Sequence, residues 1–195
     1  MFPPIPSWDA MHPLVVHFPI ALLLVAPVFV VMAAAWRRYE LPLGVAALTL
    51  MALGALGAFV AVATGEAGEG AANTAAAKAV LERHEELAEI VQATFGALTG
   101  VFALMVFAPR ALRRWRRLPA GLSLPGAVRA AAYFVFLVAY AIGCLILANA
   151  AHEGGRLVHE LGVRAAITSP ATPRAAQDVT IIAAPTRAAL AVDDD

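Results

Sequence analysis

The chain has 195 residues, of which 61% are hydrophobic and 14% charged, and its 14 basic and 14 acidic residues cancel. A soluble domain is roughly one-quarter charged, so this composition excludes an ordinary water-soluble globule. The zero net charge says nothing about partners by its total, and no nucleic-acid partner is expected.

Four long blocks carry no charged side chain when His17 is neutral: Pro13 to Ala35, Leu41 to Gly65, Ile90 to Ala108 and Ala130 to Ala151. A hydrocarbon layer about 30 Å thick takes roughly 20 apolar residues of helix. Backbone groups in lipid must be satisfied within the segment, which helices do. The fold class is therefore all-α, an integral membrane bundle of four transmembrane helices at about 13–36, 41–66, 74–108 and 126–152.

The opening MFPPIPSWDA has no positive segment, and the apolar run after it is too long for a cleavable signal, so the first helix is expected to remain. Pro13 suits a first helical turn, with His12 at or near the N-cap. Pro19 should free the carbonyl of Val15, and Pro27 should kink the helix near its middle. The second helix has closely spaced Gly54, Gly57 and Ala61, and the third has Gly96 and Gly100. Such small residues let membrane helices approach closely.

The alanine-rich stretch 73–89 should continue into the third helix, capped by Asn73 or Thr74 and stopped by Pro109. LPAGLSLPG at 118–126 reads as a loop, and Gly154 and Gly155 should break or bend the fourth helix. The membrane domain covers 1–163. Residues 164–195 form a tail of Ala, Pro and Thr ending in Asp, disordered or held by a partner. No internal repeat is convincing in the sequence.

Basic residues favour the cytoplasmic side. Arg37 and Arg38 follow the first helix, and Arg110, Arg113, Arg114, Arg116, Arg117 and Arg129 lie between the third and fourth. The segments at the other end carry few basic residues. Both termini should then face outward, which means a multi-pass protein of a bacterial inner membrane with periplasmic termini. Trp36 and Trp115 fall at the inner ends as interfacial aromatics. The lone Cys144 cannot form an internal disulfide and reads as a buried thiol.

All five histidines (His12, His17, His84, His152 and His159) fall at the outer end of this topology. Ligand-type residues near membrane helices are functional candidates. Three chemistries fit. Two imidazoles from different helices ligate haem b, with His17, His84, His152 and His12 as candidates. A copper or zinc ion takes three or four ligands, from His12, His17, His84 and His152 with Glu66 or Glu85 assisting. The histidines also suit proton relay or a quinone head group. Against these stand ordinary roles: a helix cap for His12, solvation for His84 and His159, and a satisfied buried imidazole for His17. By depth, His12 matches His84 and His17 matches His152.

The stretch MHPLVVHFPIALL resembles the opening of the bacterial membrane family called domain of unknown function 2231, which has an HPxxVHFPxA motif at the head of its first helix. The family's TG at the end of helix two corresponds to Thr64-Gly65. Its histidine before helix three corresponds to His84, and its GGxLVYxHG segment to GGRLVHELG at 154–162. The resemblance spans about 11–163. Where the family pattern has Tyr then His near its end, this chain has His159 and Leu161. The resemblance implies four membrane helices. The family's fusion to Rieske-type or cytochrome c domains implies a place in electron transfer.

The expected function is a small membrane electron-transfer protein with a histidine-ligated haem b near the outer face. The alternatives are a cofactor-free accessory subunit of a respiratory or photosynthetic membrane complex, and a copper- or zinc-handling membrane protein. Expected partners are the lipid bilayer and membrane or cytochrome proteins. No nucleotide-binding, nucleophile-elbow or paired-carboxylate pattern is present, so a stand-alone enzyme is not expected.

Overall fold

A computed structural model describes residues 8–67, 70, 72–115 and 125–163. The proposed tail from 164, most of the loop at 118–126, and Arg116 and Arg117 lie outside the described residues. Among the described residues five α-helices follow one another: α1 His12–Val15, α2 His17–Ala35, α3 Glu40–Glu66, α4 Ala75–Trp115 and α5 Gly126–His159. Short 3-10 turns occupy Trp8–Ala10 and Arg37–Tyr39. No strand occurs among the described residues.

Among the described residues four stretches are long and apolar enough to cross a membrane: His12–Ala35, Arg37–Glu66, Ala75–Leu112 and Gly126–His159. Large apolar side chains such as Val28, Leu56, Leu104, Phe134 and Leu145 face outward from them. In water that surface would be costly; in hydrocarbon it is matched. The inner faces meet in one core. Leu23, Val30, Met51, Phe95, Phe102 and Tyr140 are fully buried there. Phe95 stacks edge-on to Tyr140 at 5.2 Å, and Phe102 meets Phe136 at 5.0 Å. α2 packs most closely on α3, and α4 on α5, so the bundle is two antiparallel hairpins laid together.

Proline and glycine act differently here from their expected roles. The first span is not one helix; it is interrupted at Val16, between α1 and α2. Pro19 has no N–H to give Val15, so the ladder fails one turn ahead of it. Pro109 does not stop α4, which continues to Trp115. A single proline removes one helical bond, and near a helix end that loss is tolerated. The Arg110 guanidinium also donates to the Val106 carbonyl in this turn. Gly154 and Gly155 lie inside α5, which runs on to His159. Gly54 and Gly57 do serve close packing, against Leu23 and Pro19. Gly96 and Gly100 do not, because a Cβ built on either meets nothing within 4 Å.

α4 is 41 residues long, or about 60 Å. It overshoots the hydrocarbon, and its first turns stand beyond the apolar block. Thr74 starts it: its hydroxyl oxygen accepts from the Ala77 N–H at 3.1 Å. That extension carries His84 to the level of His12. The opposite end holds Arg37, Arg38, Arg110 and Arg129.

Candidate functional site

The histidine end is built from four helix segments. His12 opens α1, and its Nδ1 donates to the main-chain carbonyl of Ala61 on α3 at 2.8 Å. His84 sits on α4, and its Nδ1 donates to the carbonyl of Ala150 on α5, also at 2.8 Å. A carbonyl oxygen can only accept, so each Nδ1 carries the proton. In the neutral rings this leaves both Nε2 atoms with open lone pairs. Holding a ligand histidine by its other nitrogen is how proteins fix tautomer and ring orientation at metal centres.

The two rings face each other across the bundle, with centroids 6.1 Å apart and planes at 89°. Each lies on a glycine. A Cβ on Gly65 would stand 3.2 Å from Nδ1 and Cε1 of His12, and one on Gly154 would stand 3.0 Å from Cε1 of His84. The missing methyl groups are what let the imidazoles sit so deep against α3 and α5. Thr64, the one buried polar side chain among the described residues, adds a brace. Its hydroxyl bonds the Val60 and Ala61 carbonyls at 3.0 and 2.9 Å and approaches His12 Nδ1 at 3.4 Å. The Ala61 oxygen therefore receives both the histidine and the threonine.

Between the rings opens a pocket of about 220 Å³ lined by His12, Val62, Gly65, Glu66, His84, Glu85, Ala88 and Glu89. It is open on one side. Three of its eight lining residues are carboxylates, so it attracts cations.

Of the residues expected from sequence, His12, His84, Glu66 and Glu85 meet at this pocket. His17 and His152 do not. His17 is exposed, one turn along, and its Nδ1 donates to the Pro13 carbonyl at 2.9 Å. His152 and His159 are exposed on α5. His12 and His17 are five residues apart, which on a helix places them on different faces, His12 inward and His17 outward. No cluster of three or more His, Cys, Asp or Glu stands at metal-holding spacing among the described residues. The residues missed by sequence reasoning are Ala61, Ala150, Gly65 and Gly154, which hold the rings. Thr64-Gly65 and Gly154-Gly155 were visible as motifs, but glycine near a helix end signals termination as readily as close approach.

This geometry sits on the stretch that comparison with known families identifies. Residues 9–166 match the family described as "Predicted membrane protein (DUF2231)". The chain belongs to that family. No curated protein and no solved structure matches it. The DUF2231 match covers the membrane bundle and both imidazoles, and it assigns no activity to them.

Proposed function

We propose that this DUF2231 protein is a membrane electron carrier, with one haem b held between His12 and His84 at the histidine end. The observation that carries the reading is the imidazole pair itself. Two rings from different helices are each fixed through Nδ1, with centroids 6.1 Å apart. At this separation His12 and His84 would be the residues to hold a shared iron, each through its free ring nitrogen. Two protein ligands are what haem iron needs, since the macrocycle supplies the other four. The pocket, about 220 Å³ and open on one side, is smaller than a macrocycle and would have to widen to admit one. When bound, the haem supplies a one-electron couple.

The chain's own residues set the ligands' orientation. Ala61 and Ala150 hold the Nδ1 protons, Thr64 braces the first of these bonds, and Gly65 and Gly154 leave room for the rings. The one-sided arginines support the orientation in which the histidine end faces the periplasm of a bacterial inner membrane. The site would then exchange electrons with an outer redox partner.

A second reading is a copper or zinc ion on the same two imidazoles. Glu66, Glu85 and Glu89 line the pocket and are of a type that zinc and copper accept with imidazole, but among the described residues none stands at ligand spacing with the two rings. One purification in mild detergent separates the two readings. A Soret band with sharp α and β bands on dithionite reduction supports haem b. A colourless protein with stoichiometric copper or zinc replaces it with the second reading. Neither result in freshly prepared protein removes both.

A further inference from the structure

We infer that the chain is two copies of one helical hairpin joined in tandem, and that the imidazole pair is a two-fold site taking one equivalent nitrogen from each copy. The second clause rests on the proposed metal centre; the first does not.

The two histidines are held in the same way. His12 lies on Gly65 and bonds the carbonyl four residues before it, Ala61; His84 lies on Gly154 and bonds the carbonyl four residues before it, Ala150. This fixes a register between the halves without reference to hydrophobic pattern. Deeper contacts then agree. Eleven residues after His12 comes Leu23, and eleven after His84 comes Phe95; both are fully buried. Eleven residues before Gly65 is Gly54, and eleven before Gly154 is Gly143. Gly54 abuts Leu23, and Gly143 abuts Phe95.

The burial pattern follows in the same register. Pro19, Leu23, Ala26 and Val30 of α2 correspond to Val91, Phe95, Leu98 and Phe102 of α4, and all eight are buried. Gly44, Ala47, Met51, Gly54, Ala58 and Ala61 of α3 correspond to Tyr133, Phe136, Tyr140, Gly143, Leu147 and Ala150 of α5, again all buried. A shared helical period would align buried faces in several registers. Here the hydrogen bonds choose one, and most of the core follows it; Ala33, Ala55 and Thr64 are buried where Met105, Cys144 and Glu153 are only partly so.

The decisive contacts lie on the axis. In a two-fold arrangement, residues at the axis touch their own equivalents. His12 and His84 are equivalents and face each other at one end. Glu40 and Arg129 each lie twenty-one residues before the carbonyl that accepts the histidine bond in their half, Ala61 and Ala150. They too pair with each other, at 3.5 Å, at the opposite end. Both hairpins run in the same direction, so the axis lies along the membrane normal, as in parallel transporter repeats. The chain has hidden its repeat by filling the core unequally: α5 carries Tyr133, Phe136 and Leu147 where α3 has Gly44, Ala47 and Ala58.

The test uses the full-length protein with Cys144 replaced by alanine, the residue at the equivalent Ala55. Spin labels go on two cross-hairpin pairs of outward-facing positions. Val28 with Ala148 is one pair, and the equivalent Gly100 with Phe59 is the other. Two-fold symmetry predicts coincident distance distributions; peaks separated by more than their widths overturn the duplication. No bound group is needed, so failure of the haem reading leaves this result intact. If the distances coincide and a centre is bound, His12→Ala and His84→Ala should lose it equally. Loss through only one of them overturns the two-fold site while leaving the duplication.

Discussion

The Tyr140 hydroxyl donates at 2.7 Å to the carbonyl of Leu23, the one that Pro27 leaves without its helical donor. In a continuous helix the N–H four residues on would fill that role, and proline has none. α5 thus repairs α2 inside the core, where water cannot. Tyr140→Phe should destabilise the bundle by about 1 kcal/mol, since the buried carbonyl is left unpaired. Pro27→Ala restores the helical donor, so adding it to Tyr140→Phe should recover most of the loss. Unfolding in mixed micelles measures all three variants. A double variant no better than Tyr140→Phe would refute the assignment of this bond.

Glu40 and Arg129 make a further long-range polar tie, joining the α2–α3 turn to the start of α5. The Arg129 guanidinium reaches Glu40 and the Ala34 carbonyl, both at 3.5 Å, and lies 6.0 Å from the centre of the Tyr133 ring. The pair is mostly buried, with side chains 19% and 25% exposed. Removing one partner leaves the other charge poorly solvated. Arg129→Ala and Glu40→Gln should each lower the thermal midpoint clearly, and the pair of changes should cost less than their sum. Arg83→Ala provides the contrast, because its ion pair with Glu86 is more than half exposed and such pairs contribute little. A midpoint unchanged by Arg129→Ala would show that the tie is idle.

The four spans were legible because charge-free blocks of membrane length have few other uses. Counting turns matched His12 with His84 and His17 with His152 alike; the structure brings the first two rings together and leaves the other two exposed. Which histidines point inward was not legible. His17 lies deeper in the apolar block than His12, yet it stands on a different face of the helix and is exposed. Proline and glycine were legible in part: Pro19, Gly54 and Gly57 act as expected, whereas α4 runs through Pro109 and α5 through Gly154, where His84 packs on the glycine. The repeat escaped notice because its equivalent core positions differ in size, and only contacts across helices reveal the shared register.

The glycines can be sorted by what a methyl group would meet. At Gly54 the new Cβ stands 2.7 Å from Cγ of Leu23, so Gly54→Ala should cost about 1–3 kcal/mol through overpacking. At Gly65 and Gly154 the obstacle is an imidazole, at 3.2 and 3.0 Å. Alanine there should push the ring off its carbonyl, lowering the content of any bound centre more than stability. Gly100→Ala and Gly155→Ala meet nothing within 4 Å and should be neutral or slightly stabilising, as alanine favours helix. Melting curves with metal or haem content per protein check the series. Equal effects at all five positions would mean that the close approaches do not matter.

The histidines themselves separate the site from its neighbours in the same motif. His12→Ala should abolish the bound centre, because it removes one of only two facing rings and leaves Ala61 its Thr64 partner. His84→Ala should do the same. His17→Ala should retain the centre at the wild-type level, although His17 belongs to the HPLVVHFP stretch, because its ring bonds Pro13 and faces away. His152→Ala and His159→Ala should also retain it, both being exposed on α5. Glu66→Gln divides the two metal readings. It leaves both imidazoles in place, so a haem should persist, whereas a copper or zinc ion using the carboxylate should bind at least tenfold more weakly. Retention in His12→Ala together with loss in His17→Ala would move the centre to the outer face of α2 and overturn the site described above.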